Sequence, residues 1–411
     1  MSSSGRGFSV LVASDSLKET LTAVDACESI ARGIRRLLPD ADVEQVPLAD
    51  GGEGTLDVLL AAMPDLDPNA LTGGGAHPQH QKTTIRWALD RDRKLAVVEL
   101  AEAAGLESLP LDLRDPRQTG TAAVGRVLEL ARSRLDRDPK DPAELVLTLG
   151  GSATVDGGLG AARALGLCIE GPEGPPGRPL VGSDLATVTR IGIPESVVRA
   201  WRGVRLRIAC DVRNPLEGVD GAARVFGPQK GADPVAVLEL EAGLIRWRRM
   251  MEEATGWKIG GPGTGAAGGV VVGLAGLLMD DRADVVPGNG MKSISGLLEH
   301  GFELVAGVTK LDSRMNGVDL ILTSEGRLDA SSLMGKTVGG LLDRAEVAGI
   351  PVIAVPGSVS SEEWPGRDRF AGITALVDTV GIREAMSRPG PALEQASRHA
   401  LAHWLSANQA G

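Results

Sequence analysis

Ala49-Asp50-Gly51-Gly52-Glu53-Gly54-Thr55 follows the apolar run Val43 to Leu48 and opens a helical pattern, Thr55-Leu56-Asp57-Val58-Leu59-Leu60. This order predicts a strand-to-helix turn, the connection from which open α/β sheets are built. The glycines allow positive φ and close approach of the backbone to a ligand, and two carboxylates stand among them. Phosphate oxygens suit such amides, and Mg²⁺ suits such carboxylates. An ordinary glycine turn with solvated acids would share this composition; further loops of the same kind elsewhere in the chain weigh against it.

Upstream, Phe8 to Ala13 is a short apolar run ending in Ser14-Asp15-Ser16-Leu17-Lys18, and Thr20 to Leu38 carries Leu21, Val24, Ala31, Ile34 and Leu38 on one side. Residues 8–60 therefore read β-α-β-α, which implies a parallel sheet. After Pro64 the pattern breaks at Pro68, Gly73-Gly74-Gly75 and His77-Pro78, and a new domain is expected to begin near residue 70. Its strand candidates are Thr83 to Leu89, Ala96 to Leu100, Leu145 to Leu149 and Arg205 to Cys210. Its helix candidates are Thr119 to Arg134 and Pro234 to Thr255. The β/α rhythm then returns with Val318 to Thr323, Pro351 to Val355 and Ile373 to Asp378, and Glu303 to Val308 is a further strand candidate. We expect a discontinuous doubly wound (flavodoxin- or Rossmann-like) parallel-sheet α/β domain, residues 1–69 and 266–411, interrupted by an inserted α/β domain, residues 70–265.

Composition narrows the function classes. A net charge of −11 over 411 residues lacks the basic balance that nucleic acid or a membrane surface would call for. Tyr is absent and Phe and Trp are few, so the core is aliphatic and stacking on bases is not expected. Cys27, Cys168 and Cys210 are widely spaced, as for reduced thiols. The polar N-terminus has no signal-peptide core, and the apolar runs are too short or too glycine-broken to span a bilayer. A cytoplasmic, soluble enzyme of small molecules is the expectation.

Ligands of open parallel sheets bind beyond the carboxyl ends of the strands. Ser16 and Lys18 follow the first strand, Asp50 and Glu53 the second, and Ser324-Glu325-Gly326-Arg327-Leu328-Asp329 the strand ending at Thr323. The inserted segment adds Gly150-Gly151-Ser152-Ala153-Thr154-Val155-Asp156-Gly157-Gly158, suited to cradling an anion through backbone amides. Cys210-Asp211-Val212-Arg213-Asn214 places an acid just past a strand, and Lys230 lies between Pro228 and Gly231.

Other chemistries fit poorly. Gly263-Thr264-Gly265-Ala266-Ala267-Gly268 matches GxGxxG, but a helix and a Gly-Gly-Pro turn precede it instead of a strand, so it reads as a phosphate or helix-packing loop and not as a dinucleotide site. Gly335-Lys336-Thr337 ends like a P-loop, yet Ala330 stands where the first glycine belongs. His77 with His80, and His399 with His403, lack the acid of a zinc protease, and no GxSxG elbow is present.

Taken together, these segments resemble the bacterial glycerate kinase family, ATP-dependent enzymes that phosphorylate the 2-hydroxyl of D-glycerate. Pro47 to Thr55, Gly150 to Gly158, Cys210 to Leu216, Val225 to Gly231, Pro262 to Gly269 and Ser324 to Asp329 resemble its motifs in order along the chain. The sequence departs from the family pattern at Leu17, Glu19, Val155 and Ser324.

The resemblance implies a kinase using ATP and Mg²⁺. Phosphoryl transfer asks mainly for positioning and charge neutralisation. Lys18 and Lys230 are expected to neutralise charge, Asp211 to act as general base with Asp156 next, and Asp50, Glu53, Glu325 and Asp329 to include the Mg²⁺ ligands. Ser16, Asn214 and Arg327 would bind glycerate, Arg327 through its carboxylate. Gly51, Gly52, Gly151, Ser152, Thr154, Gly263, Gly265 and Lys336 would hold nucleotide phosphates. A monomer or homodimer is expected, with no nucleic-acid or membrane partner. A kinase of a related hydroxy acid and a catalytically silent binding protein remain the alternatives, with a dehydrogenase as the distant third.

Overall fold

The run Ser9–Val12 forms an inner strand of a five-stranded sheet because its apolar side chains can be buried on both faces. Val10 and Val12 enter one apolar cluster and Leu11 another, so successive residues serve opposite faces. Leu320 and Leu322 alternate in the same way with Ile321. The computed structural model describes residues 7–17, 20–80, 84–175, 177–277, 294–333, 337–361 and 363–409. Contacts divide it into two units, with boundaries at 50/51, 56/57, 64/65 and 301/302.

In the first unit the strands stand in the spatial order Asp42–Gln45, Ser9–Val12, Leu320–Thr323, Val352–Ala354, Gly372–Ile373, all paired in parallel. Counted along the chain this is 2-1-3-4-5, the doubly wound flavodoxin order. Helices Ala23–Leu37 and Pro389–Gln409 cover one face, where Gly33 lets them meet closely: a Cβ there would lie 2.5 Å from the Glu394 carbonyl oxygen. Thr22 caps the first of these helices, accepting from the Asp25 amide at 3.1 Å. The other face packs Phe302, Leu341 and Leu342.

The second unit holds a six-stranded sheet in the order Leu298–Glu299, Val204–Ala209, Ala143–Thr148, Leu95–Glu99, Thr84–Asp90, Asp67–Thr72. The first four are parallel and the last two antiparallel. Its core joins Trp87, Leu128, Leu147, Trp247 and Val270–Val272. Helix Pro234–Thr255 matches the span expected from sequence. Asp233 caps it by accepting from the Ala236 amide at 2.7 Å, Pro234 occupies its first turn, and Gly256 ends it at φ +71°.

The structure differs from the sequence-based reading in several places. Residues 266–277 pack in the second unit's core through Val270, Val271, Val272 and Leu274, so this unit runs on to Gly301 instead of ending at 265. It also begins earlier, because Asp67–Thr72 pairs with Thr84–Asp90; as an edge strand it tolerates Pro68, which reads as a breaker in sequence. Residues 51–56 also pack with the second unit. Glu303 to Val308 lies within helix Gly301–Thr309, where Glu303 and Gly307, four residues apart, are the exposed positions, a helical spacing. Ile373 to Asp378 is divided between a two-residue strand and helix Leu376–Val380. Among the described residues, no helix is long and apolar enough to cross a membrane.

Candidate active site

In the 2-1-3-4-5 order the connections reverse direction between Ser9–Val12 and Leu320–Thr323, and this is where such sheets bind ligands. Backbone bonds join the two loops that leave these strands: Asp15 N donates to the Ser324 carbonyl at 3.1 Å, and Leu48 N donates to Ser14 O at 2.8 Å, bringing Ala49-Asp50 alongside. The Asp15 carboxylate organises the group. Its Oδ1 accepts from Ser16 N at 2.6 Å and its Oδ2 from Thr337 Oγ1 at 2.8 Å, at the start of helix Thr337–Ala348. The Glu325 carbonyl accepts from Gly357 N at 2.9 Å. Arg327, on the short strand Arg327–Leu328, is 66% exposed with its Nε 3.9 Å from Asp329 Oδ2.

In the second unit, Glu99, Thr148, Ala209 and Glu299 lie on one register line, each the last residue of its strand. The loops beyond them are therefore level. Gly51 rests at this edge: a Cβ on it would stand 2.8 Å from Ala209 Cβ and 2.9 Å from Gly301 Cα, and its φ of +82° already demands glycine. A Cβ on Gly150 would fall 2.3 Å from Gly52 Cα, so the two glycine loops meet backbone to backbone. Glu53 extends beside Gly151, its Oε2 2.9 Å from where a Cβ would be. Asp211 follows the strand Val204–Ala209; its Oδ1 accepts from Gly301 N at 2.8 Å, and His300 Nδ1 stands 3.6 Å away.

A buried network supports the 150–158 loop. Lys230, only 3% exposed, donates from Nζ to Ser152 Oγ and to the Thr154 carbonyl, each at 2.8 Å. Burial lowers its pKa to about 7, against a smaller opposing pull from Asp156. Asp156 is fully buried and accepts from Thr121 N, Thr121 Oγ1, Gly158 N and Gly160 N at 2.8–3.1 Å. Burial pushes its pKa up, and those four donors oppose the rise. Trp247 Nε1 donates to the Gly157 carbonyl at 2.8 Å from below.

These placements correct several expectations. Asp156 has no open face for a substrate proton; its four donors make it the anchor of the glycine loop, not a base. Lys230 is not an open cation at the loop surface: it is buried, with its Nζ bonded to Ser152 Oγ and the Thr154 carbonyl. Gly265 spends its amide on the Asn214 carbonyl at 3.0 Å, and a Cβ there would meet the Pro215 carbonyl at 2.2 Å, so it is a packing glycine and its amide is not open to phosphate. Gly263 has φ +83° and lies against Leu298 and Cys210. The Asn214 Nδ2 is held by the Asp220 carbonyl at 2.9 Å, away from a glycerate role. Thr154 is fully buried, leaving its carbonyl to Lys230. Asp329 Oδ1 accepts from Ser331 N and Oγ at 2.8 and 2.6 Å, as a local turn would require.

Asp50, Glu325 and Asp329 belong to the first unit and Glu53 to the second. Among the described residues, no group of three His, Cys, Asp or Glu side chains is arranged to hold a metal by itself. Lys18, Glu19 and Lys336 lie outside the described residues, as does 278–293. Sequence reasoning missed Asp15, Thr121, Glu99, His300 and Thr337 as site-building residues; the lone acid closing the apolar run Ala96-Val97-Val98-Glu99 was the available signal.

Comparison with known proteins decides the lineage. The model of the glycerate kinase family matches residues 10–405. The chain belongs to the glycerate kinase family. It is 34% identical over 394 residues to a protein named glycerate kinase from Halalkalibacterium halodurans, covering 95% of this chain and 96% of that one. It is 34% identical over 357 residues to the glycerate 2-kinase of Escherichia coli K12, covering 86% of each. A crystal structure of a provisionally named glycerate kinase 2 from Salmonella typhimurium LT2 superposes with a TM-score of 0.78 at 28% identity, over 99% of this chain and 100% of that one. The family is one of kinases, phosphotransferases with an alcohol acceptor, and the enzyme class of this member follows.

Three of this family member's departures fall in packing positions. Leu17 is 3% exposed in the first unit's core, Val155 is fully buried in the second unit's core, and Ser324 turns its Oγ to the Val355 carbonyl at 2.7 Å.

Proposed function

We propose that this chain transfers the γ-phosphoryl group of ATP to the 2-hydroxyl of D-glycerate, giving 2-phosphoglycerate and ADP, and that it works in the cytoplasm. The observation that carries this reading is the level edge of the second unit. There, two glycine loops in backbone contact, 51–54 and 150–152, lie beyond strand ends that share one register line, Glu99, Thr148 and Ala209, and Asp211 stands two residues past the last of these. Such loops offer amides to phosphate oxygens, while a fixed carboxylate nearby offers a proton acceptor.

Asp211 Oδ1, held by Gly301 N, is aimed by the backbone and takes the proton from the attacking hydroxyl. Gly51, Gly52, Gly151 and Ser152 present main-chain donors to the transferred phosphoryl group. Lys230 supports that loop from behind and lends it positive charge when protonated. Arg327 keeps its proposed role toward the glycerate carboxylate on sequence grounds, its planar fork of donors suiting that group. Lys18 keeps its proposed charge-neutralising role on sequence grounds. Mg²⁺ arriving with the nucleotide would neutralise phosphate charge. It retains waters and needs only one or two protein carboxylates, so Glu53 in the second unit, or Asp50 or Glu325 in the first, would suffice without a closed cage.

The three buried departures support glycerate over a different hydroxy acid, because none of Leu17, Val155 and Ser324 presents a changed side chain to solvent. The test is ADP release from ATP and Mg²⁺ with a panel of D-glycerate, L-glycerate, lactate and glycolate. Turnover with D-glycerate well above the others is expected. Faster turnover with another acid would replace the substrate, and absence of turnover with all of them would remove the reading.

A further inference from the structure

Glu99 closes a strand whose other residues, Leu95 to Val98, are apolar and buried, and it is itself 3% exposed. A carboxylate in such a place is costly to bury unless hydrogen bonds compensate it, so its partners point to its purpose. Oε1 accepts from Gly54 N at 3.0 Å and Oε2 from Leu56 N at 2.8 Å. Both amides lie at the start of helix Thr55–Ala62, where main-chain donors lack helical partners and the helix dipole favours negative charge. Thr55 Oγ1 adds a bond to the Gly52 carbonyl at 2.7 Å.

The loop so gripped needs an anchor. Gly51 and Gly54 are at φ +82° and +87°, and a segment this rich in glycine samples many conformations when untied. Its working position is demanding, since Gly52 must lie against Gly150 and Glu53 beside Gly151.

We propose that Glu99 is a positioning residue for phosphoryl transfer: its carboxylate, by binding the amides of Gly54 and Leu56, locks the Gly51–Gly54 loop against Gly150 and Gly151 and sets where Glu53 stands. The inference rests on the reading of these loops as phosphate- and metal-handling elements. In this role Glu99, buried beneath the loop amides it binds, acts on the reaction through the loop.

Two measurements on the full-length protein test it. Amide hydrogen exchange of the peptide spanning residues 51–58 is expected to quicken about tenfold or more in Glu99→Ala, while peptides covering Leu145 to Leu149 keep their protection. In the same variant kcat is expected to fall about tenfold or more, with KM for D-glycerate changed less than about threefold. Glu99→Gln, which retains one acceptor oxygen, is expected to lie between Glu99→Ala and wild type in both readouts. Exchange at 51–58 equal to wild type in Glu99→Ala overturns the positioning role, as does normal kcat. If Glu99→Ala does not fold, Glu99→Gln carries the test, and wild-type behaviour in both readouts overturns it. Exchange does not depend on catalysis, so an inactive wild-type protein with a loosened 51–58 peptide in the variants would sink the functional reading while leaving the anchor intact.

Discussion

Lys230 Nζ lies 2.8 Å from Ser152 Oγ, with the lysine almost wholly buried. An ammonium is held there by two oxygens and a glycine loop, in a place where burial lowers its pKa to about 7 from 10.5. Unfolded, the side chain keeps its proton up to about pH 10.5; folded, only up to about pH 7. Between these values the unfolded state binds the extra proton, so raising the pH stabilises the fold. We predict that unfolding free energy rises with pH across this window, by at most about 1.4 kcal/mol per unit from this group. Chemical denaturation at several pH values, wild type against Lys230→Met, checks it: the difference in slope should be positive for wild type.

Asp211 and Asp156 are both acids beyond strand ends, but their surroundings assign them different work. Asp211→Asn should lower kcat by about 10²–10⁴ while substrate still binds, as for loss of a general base. Its melting temperature should stay close to wild type. Asp156→Asn turns an amide toward donors that now face a carboxylate, which should lower the melting temperature by several degrees. Steady-state kinetics beside thermal melts separate the two; a stable, inactive Asp156→Asn variant would reverse the assignment.

Gly150→Ala should damage catalysis through packing. The added Cβ would stand 2.3 Å from Gly52 Cα and 3.0 Å from Glu53 N, both backbone atoms that cannot swing away. A fall of about tenfold or more in kcat/KM is expected from displacing the loop. Gly307→Ala, whose Cβ would meet nothing within 4 Å and which lies inside a helix, is the control that should leave activity unchanged.

Arg327→Lys keeps the charge but removes the planar fork. KM for D-glycerate should rise about tenfold with kcat within about threefold, the pattern of a lost ground-state contact. Equal losses in kcat and kcat/KM would place Arg327 on the transferred phosphoryl group instead.

Much of the fold is legible where periodicity is strong. The apolar run Phe8 to Ala13 contains the expected strand, its Val10, Leu11 and Val12 alternating between two cores, and Pro234 to Thr255 is bounded by a cap and a glycine that can be read directly. Glu303 to Val308 misleads because a short apolar run with two valines fits either a strand or a buried helix. The site divides in the same way. Glycine loops and acids are visible as composition, but burial is not. Thr121 reaches Asp156 across 35 residues, and Gly54 reaches Glu99 across 45, so only the folded chain separates an anchor from a base. The use of the Gly265 amide by the Asn214 carbonyl is equally invisible in a GxGxxG string.

The most direct test of the account is phosphorus NMR of the product formed from ATP, Mg²⁺ and D-glycerate. A resonance split by the single proton on carbon 2, with stoichiometric ADP, is the predicted result. A phosphate ester coupled to the two protons of carbon 3, or no ester while ATP and glycerate still bind, would contradict it.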